Sequence, residues 1–440
     1  MAQVCSFRGI RYRKEKVSNL GAVICPPYDV ITPEEQRFYY RKSDYNIIRL
    51  ELPTRQSGGG AEAEYSSAAR TLKTWLAEGV LQADDSPAFY LHDHYFTYQG
   101  KRRRRELIAR VKLVSWGEGV YPHEETSFKV KQDRLKLLRA CKATFSPILT
   151  LYPDRGGEIA GIFSSVSQYN PPLDLVDSGE RHLTWAITEP DIIHRISELL
   201  SDLPFYVADG HHRYEIGLAY QRERMGRLSS PTGKEAFNYI MMSLVEFSDP
   251  GLVVLPIHRL VRGISFDDRA KLKRQLRDFF TAEIIPLSNI SGDLAEGVCD
   301  RLKRGGKEEI VLGVLGLEGE SLVMLTPRPG VHLDKVMPQA RSQAYKKLGV
   351  NFLNHIILKR ILGIAFNKDD IGYTSDIAEA CREITEGHYQ LAFLVQLPEL
   401  GVVRAVADAG DRMPMMILIC KPEIANIWAV PVLEKACLTE

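Results

Sequence analysis

A chain of 440 residues, 45% hydrophobic and 26% charged, has room for two or three domains and the make-up of an ordinary folded protein. A formal net charge of +1 gives no broad electrostatic footprint for nucleic acid. Seven cysteines without a CxxC pair point to reduced thiols and a cytoplasmic setting, and no apolar run nears the roughly 20 residues that span a bilayer.

Residues 1–10 carry Arg8 and no apolar core, so they do not read as a signal peptide. In Pro26-Pro-Tyr-Asp-Val-Ile31 two prolines fix an extended entry and leave Tyr28 and Asp29 on a constrained loop, with Asn46 and Arg49 shortly after. Gly58, Gly59 and Gly60 predict a flexible loop. The spacing of Tyr65, Ala69, Leu72, Trp75 and Leu76 predicts an amphipathic helix that stops at Gly79. Strands over 88–98 and 106–114 form a hairpin around Gln99-Gly100. Leu107, Ala109, Val111 and Leu113 alternate with Ile108, Arg110 and Lys112, the pattern of a half-buried strand. The basic run Lys101 to Arg105 reads as a solvated edge rather than a nucleic-acid surface, because alternation sends it to both faces and stacking aromatics are few. His92 and His94 share a strand face, where a metal is conceivable but no third ligand is identifiable nearby.

His123, Glu124, Glu125 and Thr126 form a polar, turn-like stretch ahead of a helix through Leu135, Leu138 and Ala140. Two carboxylates beside a histidine and a hydroxyl could supply a general base or a magnesium ligand; the alternative is a solvated loop with an Asp133 cap. A strand over 183–187 and a helix over 191–200 lead into the apolar strand 205–208. There Asp209 can cap a helix and Gly210 frees the backbone to turn. Ile216, Ala219 and Tyr220 continue at helical spacing to Gly226. A helix start attracts anions, and His211, His212 and Arg213 add positive groups, so the stretch reads as a phosphate cradle. Asp209 inside it could hold a metal or accept a proton. The plain alternative is a capping aspartate, two solvated imidazoles and a surface arginine. Zinc is disfavoured because adjacent histidines on a helix diverge.

Strands over 238–247 and 252–258 follow, the second ending at His258-Arg259, which either joins a phosphate pocket or faces water. The remainder reads as a helix over 266–280, strands over 309–315 and 322–325, helices over 337–348 and 351–362, a helix over 375–386 and a strand over 389–397. Interleaved but not alternating elements indicate α+β, or mixed α/β, in three segments: 1–120, a core over 121–265 that carries the anion turn, and 266–440. There is no GxGxxG or P-loop.

Pro26-Pro-Tyr-Asp-Val-Ile31, Pro122-His-Glu-x-Thr126, Asp133-Arg134-Leu135, Ser146-Pro-Ile148, Ala208-Asp-Gly-His-His-Arg-Tyr214, Leu255-Pro-Ile-His-Arg259 and Met413-Pro414 occur in the order found in a bacterial and archaeal family, domain of unknown function one-thousand-and-fifteen, which the chain resembles over nearly its whole length. The Asp209-Gly210-His211-His212-Arg213 box is similar to the phosphate-binding loop of the ParB/sulfiredoxin-like superfamily, which includes free-serine kinases. The resemblance implies a ParB/sulfiredoxin-like core and phosphoryl transfer from ATP, ADP or pyrophosphate, with Mg²⁺, to a small-molecule hydroxyl, that of free L-serine. In that reading Asp209, Glu124 and His123 are catalytic, and Asp209 and Glu124 hold the metal. Gly210, His211, His212, Arg213, His258 and Arg259 bind phosphate, and Tyr28, Asp29, Thr126 and Arg49 bind substrate. The alternative is a nucleotide-sensing ParB-like regulator without kinase activity. The expected partner is a small molecule, with a homodimer allowed and neither nucleic acid nor membrane expected. After Met413-Pro414 this chain reads Met415-Met-Ile-Leu418, where the family carries lysine and hydroxyl residues, so a phosphate contact, or activity itself, is in question.

Overall fold

The computed structural model describes residues 2–54, 62–126, 128–154, 156–177, 179–290, 293–304, 310–364, 370–397, 399–413 and 418–421. The chain is mixed α/β. The glycine run at 58–60 and residues 414–417 of the departing C-terminal segment lie outside the described residues. Two compact units form: residues up to Pro122 together with Thr126–Val253, and His123–Glu125 together with Val254–Lys421. Apart from His123–Glu125, the segments expected over 1–120 and 121–265 thus share one unit as far as Val253, because their strands interleave in one sheet.

That sheet has nine strands. They are β1 (Val4–Cys5), β2 (Phe89–Thr97), β3 (Lys101–Lys112), β4 (Val120–Tyr121), β5 (Ile148–Tyr152), β6 (Leu173–Asp177), β7 (Glu180–Ile187), β8 (Phe205–Asp209) and β9 (Tyr239–Glu246). The spatial order is β4-β8-β5-β9-β3-β2-β7-β6, with β1 beside β3. β4 runs parallel to β8 and β5 to β9. The β2–β3 hairpin turns at Gln99 and Gly100, both at positive φ (48° and 108°). β3 is buried on both faces, not one: Leu107, Ala109 and Val111 enter one core and Ile108 another. Nor is its basic run a solvated edge. β3 is a central strand, and carboxylates absorb the charge: Arg105 forks Asp93 of β2 with two bonds of 2.7 Å, and the buried Arg104 lies 3.5 Å from Glu106 on its own strand.

β8 lies inside the sheet with Phe205 and Val207 fully buried. Its register against β5 slips between Val207 and Asp209, and a bulge of this kind ends regular pairing and re-aims the last side chain. The helix His211–Met225 follows immediately after Gly210. Tyr214, Ile216 and Tyr220 are buried, and burying a side chain such as Ile216 contributes roughly 1.5–3 kcal/mol. Gly217 permits the close approach to the sheet, since a Cβ there would stand 2.9 Å from Ile240 Cδ1.

The second unit carries a six-stranded antiparallel sheet in the order Phe280–Pro286, Ser321–Pro327, Leu312–Leu315, Leu391–Val395, His258–Val261, Ile371–Thr374. The two long helices expected over 337–362 are instead the short helices Leu333–Val336, Gln343–Lys346 and Gly349–Phe352 and the π-type helix Leu353–Ile361. Pro338 interrupts the first, and Ser342 then caps a new start by accepting from Tyr345 N. Among the described residues no helix is long and apolar enough to cross a membrane.

Candidate functional site

Arg213 organises the turn after β8. Its side chain folds back so that Nη2 donates to Asp209 Oδ2 at 2.5 Å and Nη1 to the Pro147 carbonyl at 2.5 Å. Asp29 Oδ2 lies 3.7 Å from Nη2. The antiparallel pairing of β5 with β8 brings the start of β5, and hence Pro147, to the end of β8 where Asp209 sits. Gly210 has φ +93°, and a Cβ on it would stand 3.0 Å from Arg213 Nε and 3.3 Å from Ile148 Cγ1. The position therefore needs glycine both for its conformation and to admit the guanidinium. Burial works against the charge on Arg213, but Asp209 and Asp29 more than offset it and hold its pKa above the usual arginine value. Asp209 does not cap the helix as expected: Gly210 is the N-cap residue and no side chain caps the start. The bulge turns the half-exposed Asp209 carboxylate toward Arg213 instead.

Burial pushes Asp29 up to about 6, with Arg213 pulling it down and Asp209 raising it. Tyr28 lies under the Arg134 guanidinium, 4.6 Å from Cζ to ring centre, and burial with the Asp29 charge raises its phenol. Arg134 Nη1 donates to the Glu51 carbonyl at 2.6 Å, and Ser146 Oγ donates to the buried Glu51 Oε1 at 2.5 Å. Tyr28, Glu51, Arg134, Ser146 and Arg213 line a cleft of about 50 Å³, room for a few waters. Glu51 was not legible as a site residue, and its only sequence signal is a carboxylate next to the apolar run that ends at Leu50.

Beside the turn, Thr126 Oγ1 donates to Glu215 Oε2 at 2.6 Å, and Lys131 Nζ bonds the same oxygen at 2.7 Å and Thr126 at 3.0 Å. His211 is buried, with Trp116 6.5 Å away between ring centres. Burial lowers His212, so near neutral pH it offers an uncharged imidazole. His211 is thus not solvated, and His212 is not a source of fixed positive charge. Arg49 donates to Asp44 Oδ1 at 2.9 Å and the Tyr40 carbonyl at 3.1 Å.

In the second unit, Glu124 forms a parallel bridge with Met413: Met413 N donates to the His123 carbonyl at 2.7 Å and Glu125 N to the Met413 carbonyl at 2.9 Å. His258 is buried and accepts from Val395 N at 3.2 Å through Nδ1, and burial and Arg259 push it down to about 4. Arg259 is buried 5.7 Å from the Tyr373 ring centre, and burial lowers it to about 10 against the raising effect of Tyr373 and Glu124. These two side chains do not face water as a strand-end pair would. Larger cavities lie elsewhere, one of about 380 Å³ around Arg11, Lys14 and Gln82 in the first unit and one of about 520 Å³ around Gln343, Lys347 and Gln396 in the second. None of the expected site residues lines them.

The family model described as protein of unknown function (DUF1015) matches residues 4–350, and the chain belongs to that family. No curated protein matches it. Among solved structures it is similar to a free serine kinase mutant in complex with ADP (12% identity, 71% of this chain and 87% of that one, TM-score 0.35). It is also similar to a conserved hypothetical protein from Pyrococcus furiosus (13%, 72% and 92%, TM-score 0.34) and to C-terminally truncated SbnI from Staphylococcus aureus (12%, 74% and 89%, TM-score 0.35).

Proposed function

We propose that this chain is a phosphotransferase that moves a phosphoryl group from a nucleotide or pyrophosphate to the hydroxyl of a small metabolite, free L-serine being the acceptor its motifs suggest. The observation that carries this reading is the pair Asp29 and Asp209 gathered on the largely buried Arg213 at a glycine-started helix that no side chain caps. Phosphoryl transfer asks for charge neutralisation and placement more than for covalent chemistry. The helix start supplies backbone N–H groups and the positive end of its dipole to a phosphate. Asp209 is half exposed and fits Mg²⁺, which takes one or two carboxylates and completes its shell with water and phosphate. When bound, the ion would neutralise charge on the donor phosphates. Asp29, which titrates near 6, suits a group that accepts the hydroxyl proton near neutral pH. Arg213 holds both carboxylates in place. His123 and Glu124 as base, and His258 and Arg259 as phosphate ligands, are proposals from motif order.

The test is phosphorus NMR of the full chain with Mg²⁺, L-serine and ATP, ADP or pyrophosphate in turn. O-phosphoserine should form from one of these donors and be absent with Asp209→Asn. Tight nucleotide binding without consumption of any donor would favour the nucleotide-sensing regulator. Neither binding nor turnover would overturn both readings.

A further inference from the structure

His92 and His94 project from one face of β2, and the antiparallel register sets His182 of β7 directly opposite His94. On the other flank Glu106 of β3 stands opposite His92. All three histidines are buried, at 2% exposure or less. Glu180 precedes His182 by two positions and so shares its face of β7. Its Oε2 lies 2.6 Å from His94 Nε2. His94, Glu180 and His182 each offer a ligand atom, and these atoms all lie within 4.8 Å of one another. The third ligand that is invisible near His92 and His94 in the sequence comes from strand pairing.

We propose that His94, His182 and Glu180 form a binding site for a divalent transition metal of the zinc class. Two imidazoles and a carboxylate suit zinc or its neighbours rather than magnesium, which prefers an all-oxygen shell. The hydrogen bonds behind the site fix its tautomers. The Glu106 carboxylate only accepts, so His92 donates to it from Nδ1 at 2.5 Å. His92 Nε2 is then the acceptor for His182 Nδ1–H at 3.1 Å. His182 therefore keeps its lone pair on Nε2, the ligating nitrogen. Glu106 is itself held by Ser243 Oγ at 2.5 Å. A carboxylate–histidine chain of this kind orients a metal-binding imidazole and raises its basicity. Three protein ligands leave a fourth position for water, reached from the side of Glu180, whose side chain is 41% exposed.

The untagged full chain, stripped with a chelator, is titrated with zinc chloride and with cobalt chloride, followed by calorimetry and visible absorption. The expected result is one equivalent bound, with Co²⁺ giving the intense bands of a tetrahedral site. Glu180→Gln should weaken binding at least tenfold and His182→Gln should abolish it. His92→Asn, which interrupts the chain to Glu106, should weaken it about 10- to 100-fold without changing the stoichiometry. His388→Gln, in the other such group among the described residues (Glu383, Glu386, His388), should change nothing. If His182→Gln fails to fold, Glu180→Gln decides, because its side chain is partly solvent-exposed. Absence of stoichiometric binding by the wild-type chain, or a folded Glu180→Gln protein that binds as tightly as wild type, overturns the assignment.

Discussion

Asp29→Asn should make the protein more stable and inactive at once. The carboxyl titrates at about 6 in the folded chain against an ordinary value of 3.8, mainly because burial disfavours its charge. A raised carboxyl favours the folded state only while protonated, so its contribution is lost as pH rises through the folded value. At 1.36 kcal/mol per unit the displacement of about two units is about 3 kcal/mol. The side chain is 36% exposed, and solvent screening reduces this to about 1 kcal/mol. The amide has no charge to bury. At pH 4 variant and wild type should melt together, the gap should open between pH 4 and 6, and at pH 8 the variant should melt about 2–4 °C higher, the shift that 1 kcal/mol produces in a unit of this size. Turnover should meanwhile fall about 100-fold, the scale of losing a general base. Melting curves from pH 4 to 8, with phosphoserine formation at pH 7.5, check both. A variant that melts lower than wild type at pH 8, or a gap independent of pH, would show that the Asp29–Arg213 attraction outweighs burial and would refute the reasoning.

Asp209→Asn should melt within a degree or two of wild type, because its side chain is half exposed, yet lose about 100-fold or more in rate, measured by the same assay. Arg213→Ala strands two carboxylates and the Pro147 carbonyl, and should cost about 3 kcal/mol in urea denaturation; an unchanged midpoint would contradict the strut role. Gly210→Ala forces a side chain to φ +93° and against the guanidinium, and should cost about 1–3 kcal/mol and reduce donor affinity by titration calorimetry. His258 is held down at about 4, so the unfolded chain binds its proton first. That contribution to the second unit's stability should drain away as pH falls from about 6.5 to 4, and His258→Gln should flatten the acid limb of the melting profile.

What could be read from the sequence was whatever local chemistry decides. The Gln99-Gly100 turn, the strand entering Asp209 and the glycine that starts the next helix each follow from backbone preferences within a few residues. The Thr32–Glu35 capping box that opens Pro33–Lys42 is a local signal of the same kind. Long-range pairing was not legible. Arg213 reads as a phosphate ligand because nothing in its own segment shows that Asp29 and the Pro147 carbonyl converge on it, and Lys101 to Arg105 read as solvated because Asp93, which Arg105 forks, stands on the neighbouring strand. The same blindness hid His182 from His94. Strand register converts such charges and imidazoles into buried, mutually neutralised sets, and only there does burial alter their protonation. The candidate chemistry of this chain lies in those sets: Arg213 offsets the mutual repulsion of Asp29 and Asp209, and Glu106, through His92, orients the His182 imidazole that a metal would need.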